Sequence, residues 1–114
     1  MPSSKWIWEP SADWAGATNV SHFMRKLGTS TVAGFRRYSV EHLEEFWDAV
    51  MKEMGVEWFT PYTNVLDQTR GPEWARWFCG GKLNIAHNCL VRHARSARSS
   101  HPAVIGESED GVVT

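Results

Sequence analysis

The chain has 114 residues, with 12 Lys and Arg against 13 Asp and Glu for a formal net charge of −1. A length of this order makes one domain or part of one, burying roughly 65% of its extended-chain surface, and the near-neutral charge excludes a general attraction to nucleic acid or anionic lipid. Five Leu, three Ile, ten Val and five Phe, 23 in all, lie close to the level of about 20% below which disorder sets in. Seven Trp offset this, each able to bury on the order of 200 Å2. A payload carried by a few large rings suits a cap or wrap on another surface better than a self-sufficient globule.

The opening MPSSKWIWEPS lacks the apolar core of a secretory signal, and no stretch approaches the 18 to 20 apolar residues that cross a bilayer, so a cytoplasmic protein with no membrane partner is expected. Two cysteines in such a chain are expected as reduced thiols, although ten residues of separation do not forbid a bridge.

Residues 1–18 place Trp6, Trp8 and Trp14 among Pro, Ser and Gly without a helical period, which predicts an irregular arm. Asn19 is then the expected cap of a short helix carrying Val20, Phe23, Met24 and Leu27, with Gly28 at the left-handed C-terminal position. After a Gly, Ser and Thr linker, SVEHLEEFWDAVMKEMG predicts one helix over 39–55, capped by Ser39 and ended by Gly55, with Val40, Leu43, Phe46, Trp47, Val50 and Met54 on one stripe. Glu44 and Asp48 have the spacing of an acid/base pair, but they fall opposite that stripe, where carboxylates are ordinarily solvated.

From 57 to 82 the period breaks. Trp58, Phe59, Tyr62, Trp74, Trp77 and Phe78 are interrupted by Pro61, Pro72, Gly80 and Gly81, which predicts an irregular aromatic segment that covers another surface. Asn84 is the expected cap of a helix running to about Ser96, and AVIGESEDGVVT alternates around Glu109, Asp110 and Gly111 as the two arms of a hairpin. A strand that stops with the chain, at Thr114, predicts a piece of a larger protein. The fold class expected is mostly α, with irregular aromatic-rich segments and a C-terminal β-hairpin.

The stretch WFCGGKLNIAHNCLVRH, residues 77–93, holds both cysteines and two histidines. On a helix beginning near Asn84, His87 and Cys89 point about 200° apart, so both cannot face one ion. Cys89 and His93 are four apart and share a face, and Cys79 adds a third donor, yet the spacing matches no strong zinc pattern. As nucleophile and base, Cys89 and His93 would need hydrogen-bond reach that helix-interior pairs rarely have; a buried small thiol on a stripe with Ile85 and Leu90 is the expectation. Arg92, Arg95 and Arg98 with His93 and His101 form a basic run, which in a phosphate-docking reading would grip an anion and otherwise favours a helix end and faces water. No catalytic, cofactor-binding or metal-ligating residue is therefore expected here.

Three pieces of this chain, YSVEHLEEFWDAV, WFCGGKLN and NCLVRH, resemble the N-terminal region of AMP-forming acyl-CoA synthetases of the acetyl-, propionyl- and acetoacetyl-CoA synthetase type, over residues 35–93. WIWEPSADWAGATNVSHFMRKLG is similar to the longer extensions of the acetoacetyl branch, and the final hairpin looks like the first of the adenylation domain. Val91 departs from the Asp common after NCL in acetyl-type members. The resemblance implies an arm at 1–18, an N-terminal domain at 19–98, and the start of the adenylation domain at 99–114. It implies a parent enzyme that joins a carboxylic acid to CoA through an acyl-adenylate, using ATP, Mg2+ and CoA. In that family the phosphate-gripping loop and catalytic lysine lie downstream, so the segment carries no chemistry of its own. Its expected partner is the adenylation domain of the same chain, with a homo-oligomer as the other candidate; the rival readings are a stand-alone protein-interaction module and a small metal or thiol enzyme built on Cys79, Cys89 and His93.

Overall fold

The computed structural model describes residues 7–113, so the expectations for Trp6 and Thr114 lie outside the described residues. The chain divides into two compact units, Met1–Met54 and Gly55–Thr114.

The first unit is helical. Helix α1 (Ala12–Gly16), a single short element within the segment expected to be irregular, starts where the Ser11 hydroxyl accepts the Trp14 N–H at 3.3 Å. Helix α2 (Asn19–Lys26) is capped by Thr18, whose hydroxyl accepts the Ser21 N–H at 3.2 Å; Asn19, the expected cap, is the first helical residue. At its other end Gly28 takes φ +68°, Gly28 N–H donates to Arg25 O and Thr29 N–H to Met24 O, the paired bonds that close a helix with a left-handed residue.

The helix expected over 39–55 is two helices. Helix α3 (Val32–Glu41) begins at Thr31 within the expected linker, and α4 (Leu43–Glu53) follows after a break at His42, where φ is −119° and ψ 55°. Ser39 is no cap: its hydroxyl donates to Arg36 O inside α3, and Val40 is exposed rather than part of the apolar stripe. The reason is tertiary. Phe35 and Phe46, eleven residues apart, would stand about 16 Å apart on an unbroken helix. With the break their ring centroids are 5.5 Å apart, and both meet Phe23 of α2, at 6.0 and 5.8 Å. The break itself is dressed by Tyr38, which stacks on His42 at 4.7 Å and donates its hydroxyl to Glu45. Lys26 and Glu53, 2.5 Å apart, join α2 to α4.

The second unit corrects the irregular reading of 57–82. Strands β1 (Asn64–Asp67) and β2 (Arg76–Cys79) pair antiparallel, with Leu66 opposite Trp77. The loop between them holds one 3-10 turn, Pro72–Trp74, with the Arg70 guanidinium over the Trp74 ring. At the base of the hairpin Trp58, Tyr62 and Phe78 form a second three-ring cluster, with centroids 5.0 to 5.5 Å apart. Gly81 is required by it: a Cβ there would lie 2.6 Å from the Trp58 ring. The chain is helical again from 85 to 94, with a π turn at His87–Val91 followed by α5 (Arg92–Ala94). The C-terminal hairpin is a turn closed by one bridge, Glu107 to Val113, with Gly111 at φ +78°.

Burial is sparse. Among the described residues only Met24 and Leu66 are buried apolar side chains, while Trp8, Trp14, Phe59, Trp74, Ile85 and Leu90 are exposed.

Candidate functional site

The densest set of long-range polar contacts ties residues 55–57 to the helix at 85–94. Asn84 starts that helix as expected, its side-chain oxygen accepting the His87 N–H at 3.2 Å. One turn on, the Asn88 amide pairs with the backbone of Glu57 in both directions: its oxygen accepts the Glu57 N–H at 2.8 Å and its nitrogen donates to the Glu57 carbonyl at 3.0 Å. A side-chain amide thus replaces the strand that this extended backbone would otherwise need. Arg92 Nη1 donates to the Gly55 carbonyl, and lies 3.8 Å from the Glu57 carboxylate. His87 Nε2 sits 2.6 Å from the other Glu57 oxygen, and its ring meets Phe59 edge-on at 5.3 Å.

The hydrogen bond with His87 holds the Glu57 carboxyl below its ordinary value of 4.5; the charges of His87, Arg92 and His93 act the same way, against the loss of hydration. Its folded value being depressed, the carboxylate stabilises the fold above pH 4.5, and this contribution is lost as pH falls through the folded value. Between neutral pH and about pH 3 the urea midpoint should therefore fall less for Glu57→Gln than for the parent chain. Equal losses in both proteins would remove Glu57 from the acid response.

This arrangement is a clasp. His87 and Glu57 have the separation of a base and its orienting carboxylate, but the contacts around them are to backbone groups and to Phe59, which position a chain segment rather than a reacting atom. Of the residues considered from sequence, Cys79 lies on β2 with its thiol directed to Arg76 O, whereas Cys89 and His93 line a cleft with Arg98 and His101. The wider π turn keeps His87 and Cys89 apart, the first against Glu57 and the second in the cleft. Cys89 is exposed, not the buried thiol expected, and Ile85 and Leu90 are exposed with it. Arg92 does not face water as expected; it is held by Gly55 and Glu57. Asp48 pairs with Lys52 at 2.5 Å along α4 and is half-buried rather than the solvated carboxylate expected, whereas Glu44 is exposed. Among the described residues no three His, Cys, Asp or Glu come together as metal ligands, and no helix is long and apolar enough to cross a membrane. The clasp itself, Glu57, Asn88 and Arg92, was not legible in advance, because partners 31 residues apart leave no local period.

The hairpin with its Gly-Gly exit, the capped helix and the clasp all fall in or beside the residues that carry a family pattern. Residues 33–89 match the model described as the acetyl-coenzyme A synthetase N-terminus. The chain belongs to this family. It is 38% identical over 86 residues to an acetyl-coenzyme A synthetase of Methanothrix thermoacetophila, a match that covers 75% of this chain and 13% of that enzyme. It is 35% identical over 92 residues to an uncharacterized 16.9 kDa protein in the acs 3′ region of Methanothrix soehngenii, covering 81% of this chain and 61% of that protein. In structure it is similar to the acetoacetyl-CoA synthetase from Streptomyces lividans, with a TM-score of 0.75 and 31% identity over 86% of this chain and 16% of that one. The chain thus spans about an eighth to a sixth of the synthetases it matches.

Proposed function

We propose that the chain is the non-catalytic N-terminal structural segment of an acid–CoA ligase. Such an enzyme converts ATP, a short carboxylic acid and CoA to acyl-CoA, AMP and pyrophosphate through an acyl-adenylate. In this reading the segment packs on the adenylation domain of its own chain, residues 99–114 being the start of that domain, in the cytoplasm. ATP, Mg2+ and CoA serve the whole enzyme; the described residues do not form a set suited to Mg2+, and no step is assigned to them.

The observation that carries this is the exposed apolar surface of a family segment. Ile85, Leu90, Trp77 and Phe59, all of the second unit, are 70%, 47%, 42% and 63% exposed. A surface of this kind is what an adenylation domain would cover. The test is carboxylate-dependent pyrophosphate exchange by this chain, by a family ligase lacking its N-terminal segment, and by the two mixed. No exchange by the chain and a gain on mixing, abolished by Ile85→Ser with Leu90→Ser, are expected. Exchange by the chain alone that survives repurification would overturn the reading.

The 16.9 kDa relative favours a second reading, a stand-alone interaction or oligomerisation module, since this chain covers 61% of it. Self-association through Trp8, Trp14 and the exposed rings of the second unit, seen by light scattering and unaffected by the truncated ligase, would favour that reading.

A further inference from the structure

Behind the clasp helix the chain folds back on itself through a series of tight turns. Ser96 N–H and hydroxyl both bond His93 O, Arg98 N–H donates to the Ser96 hydroxyl, Ser99 N–H to Ser96 O, and His101 N–H to Arg98 O. Arg98, Ser99 and His101 from these turns line a cleft of about 570 Å3 together with Cys89 and His93 of the helix. The size lies within the range of small-molecule sites, about 300 to 1,000 Å3.

Two features of this cleft suit it to an anion. No carboxylate lines it, although the chain carries 13 Asp and Glu against 12 Lys and Arg. The side chains of Arg98, Ser99 and His101 are exposed and make no hydrogen bond or ion pair with any described residue, so a ligand would displace only water from them. A guanidinium, a hydroxyl and an imidazole, all able to donate and all lining one cleft, are a donor set suited to an oxyanion. Phosphate itself would leave most of the cleft unfilled, and the remaining wall, Ala94, Pro102 and Ala103, is apolar.

We propose that this cleft binds a phosphate monoester, its phosphoryl oxygens held by Arg98 and Ser99 with His101 as a further donor, and its organic part resting on Ala94, Pro102 and Ala103. The site is independent of the ligase reading and belongs to this chain's own residues.

The test is an amide NMR titration of the chain with inorganic phosphate, with phenyl phosphate, and with sodium chloride at matched ionic strength. Saturable shifts at Ala94, Ser99 and His101 with both phosphates are expected, tighter for phenyl phosphate, with no saturation in chloride. Arg98→Gln should weaken binding roughly tenfold, the loss expected for one charge-assisted hydrogen bond, while Arg37→Gln outside the cleft should not. Shifts that follow chloride, or an Arg98→Gln affinity equal to the parent's in a protein with unchanged circular dichroism, would overturn the proposal. Should Arg98→Gln fail to fold, Ser99→Ala carries the decision: a weakened phosphate affinity supports the site and an unchanged one overturns it. Equal affinities for phosphate and phenyl phosphate would overturn the ester assignment.

Discussion

Leu66→Ala is expected to cost about 2–4 kcal/mol, read from the urea midpoint, because it deletes one of two buried apolar side chains among the described residues. Leu66 is 9% exposed on β1, opposite Trp77 in the register of the hairpin. A four-residue strand pair has little stability of its own, so it depends on the side chain that anchors it. Truncation removes transfer energy and leaves a void that the neighbouring ring can only partly fill. Amide exchange should accelerate first across 64–67 and 76–79. A loss under about 0.5 kcal/mol, the range of an ordinary surface substitution, would show that the hairpin is held by something other than Leu66.

Phe35→Ala is expected to cost roughly 2–3 kcal/mol, somewhat below the value for a fully buried phenylalanine, since the ring is only half-buried. Its consequence is more specific than its size. Phe35 touches both Phe23 and Phe46, and the three-ring cluster is what the break at His42 brings together. Without that ring the reason for the break is gone, and α3 and α4 are free to join. Amide exchange at Glu41, His42 and Leu43 should then slow relative to the rest of the unit, or helical circular dichroism rise, even as global stability falls. Stability falling with no local change at His42 would assign the break to the Tyr38, His42 and Glu45 contacts instead.

The exposed rings and the clasp divide the labour of the second unit. Asn88 and Arg92 fix the path of residues 55–57 by bonding backbone groups, a task that does not need burial. Ile85 and Leu90, on the same helical stretch, remain exposed and available for the docking proposed above. The path of residues 55–57 is thus set by polar contacts, while the apolar side chains of the helical stretch stay exposed.

What the sequence by itself determined was local. Ser and Thr hydroxyls and an Asn amide reach N–H groups three residues on, which is why helix starts near 19 and 84 were readable, with Thr18 rather than Asn19 the cap in the first case. A glycine conformation was readable as well: Gly28 takes positive φ at a helix end, where a side chain is disfavoured. The three motifs at 38–50, 77–84 and 88–93 carried the family, which residues 33–89 bear out. Tertiary structure decided the rest, wherever partners are distant in the chain. An eleven-residue aromatic pairing broke a helix whose local period is continuous, and a strand pair formed in a segment too short and too aromatic for period two to register. A carboxylate 30 residues from its histidine turned two unremarkable polar positions into a clasp. Propensity acts over one turn and its energies are fractions of a kcal/mol per residue, while ring packing and backbone satisfaction each reach about 1 kcal/mol or more, so where they conflict the long-range contact wins.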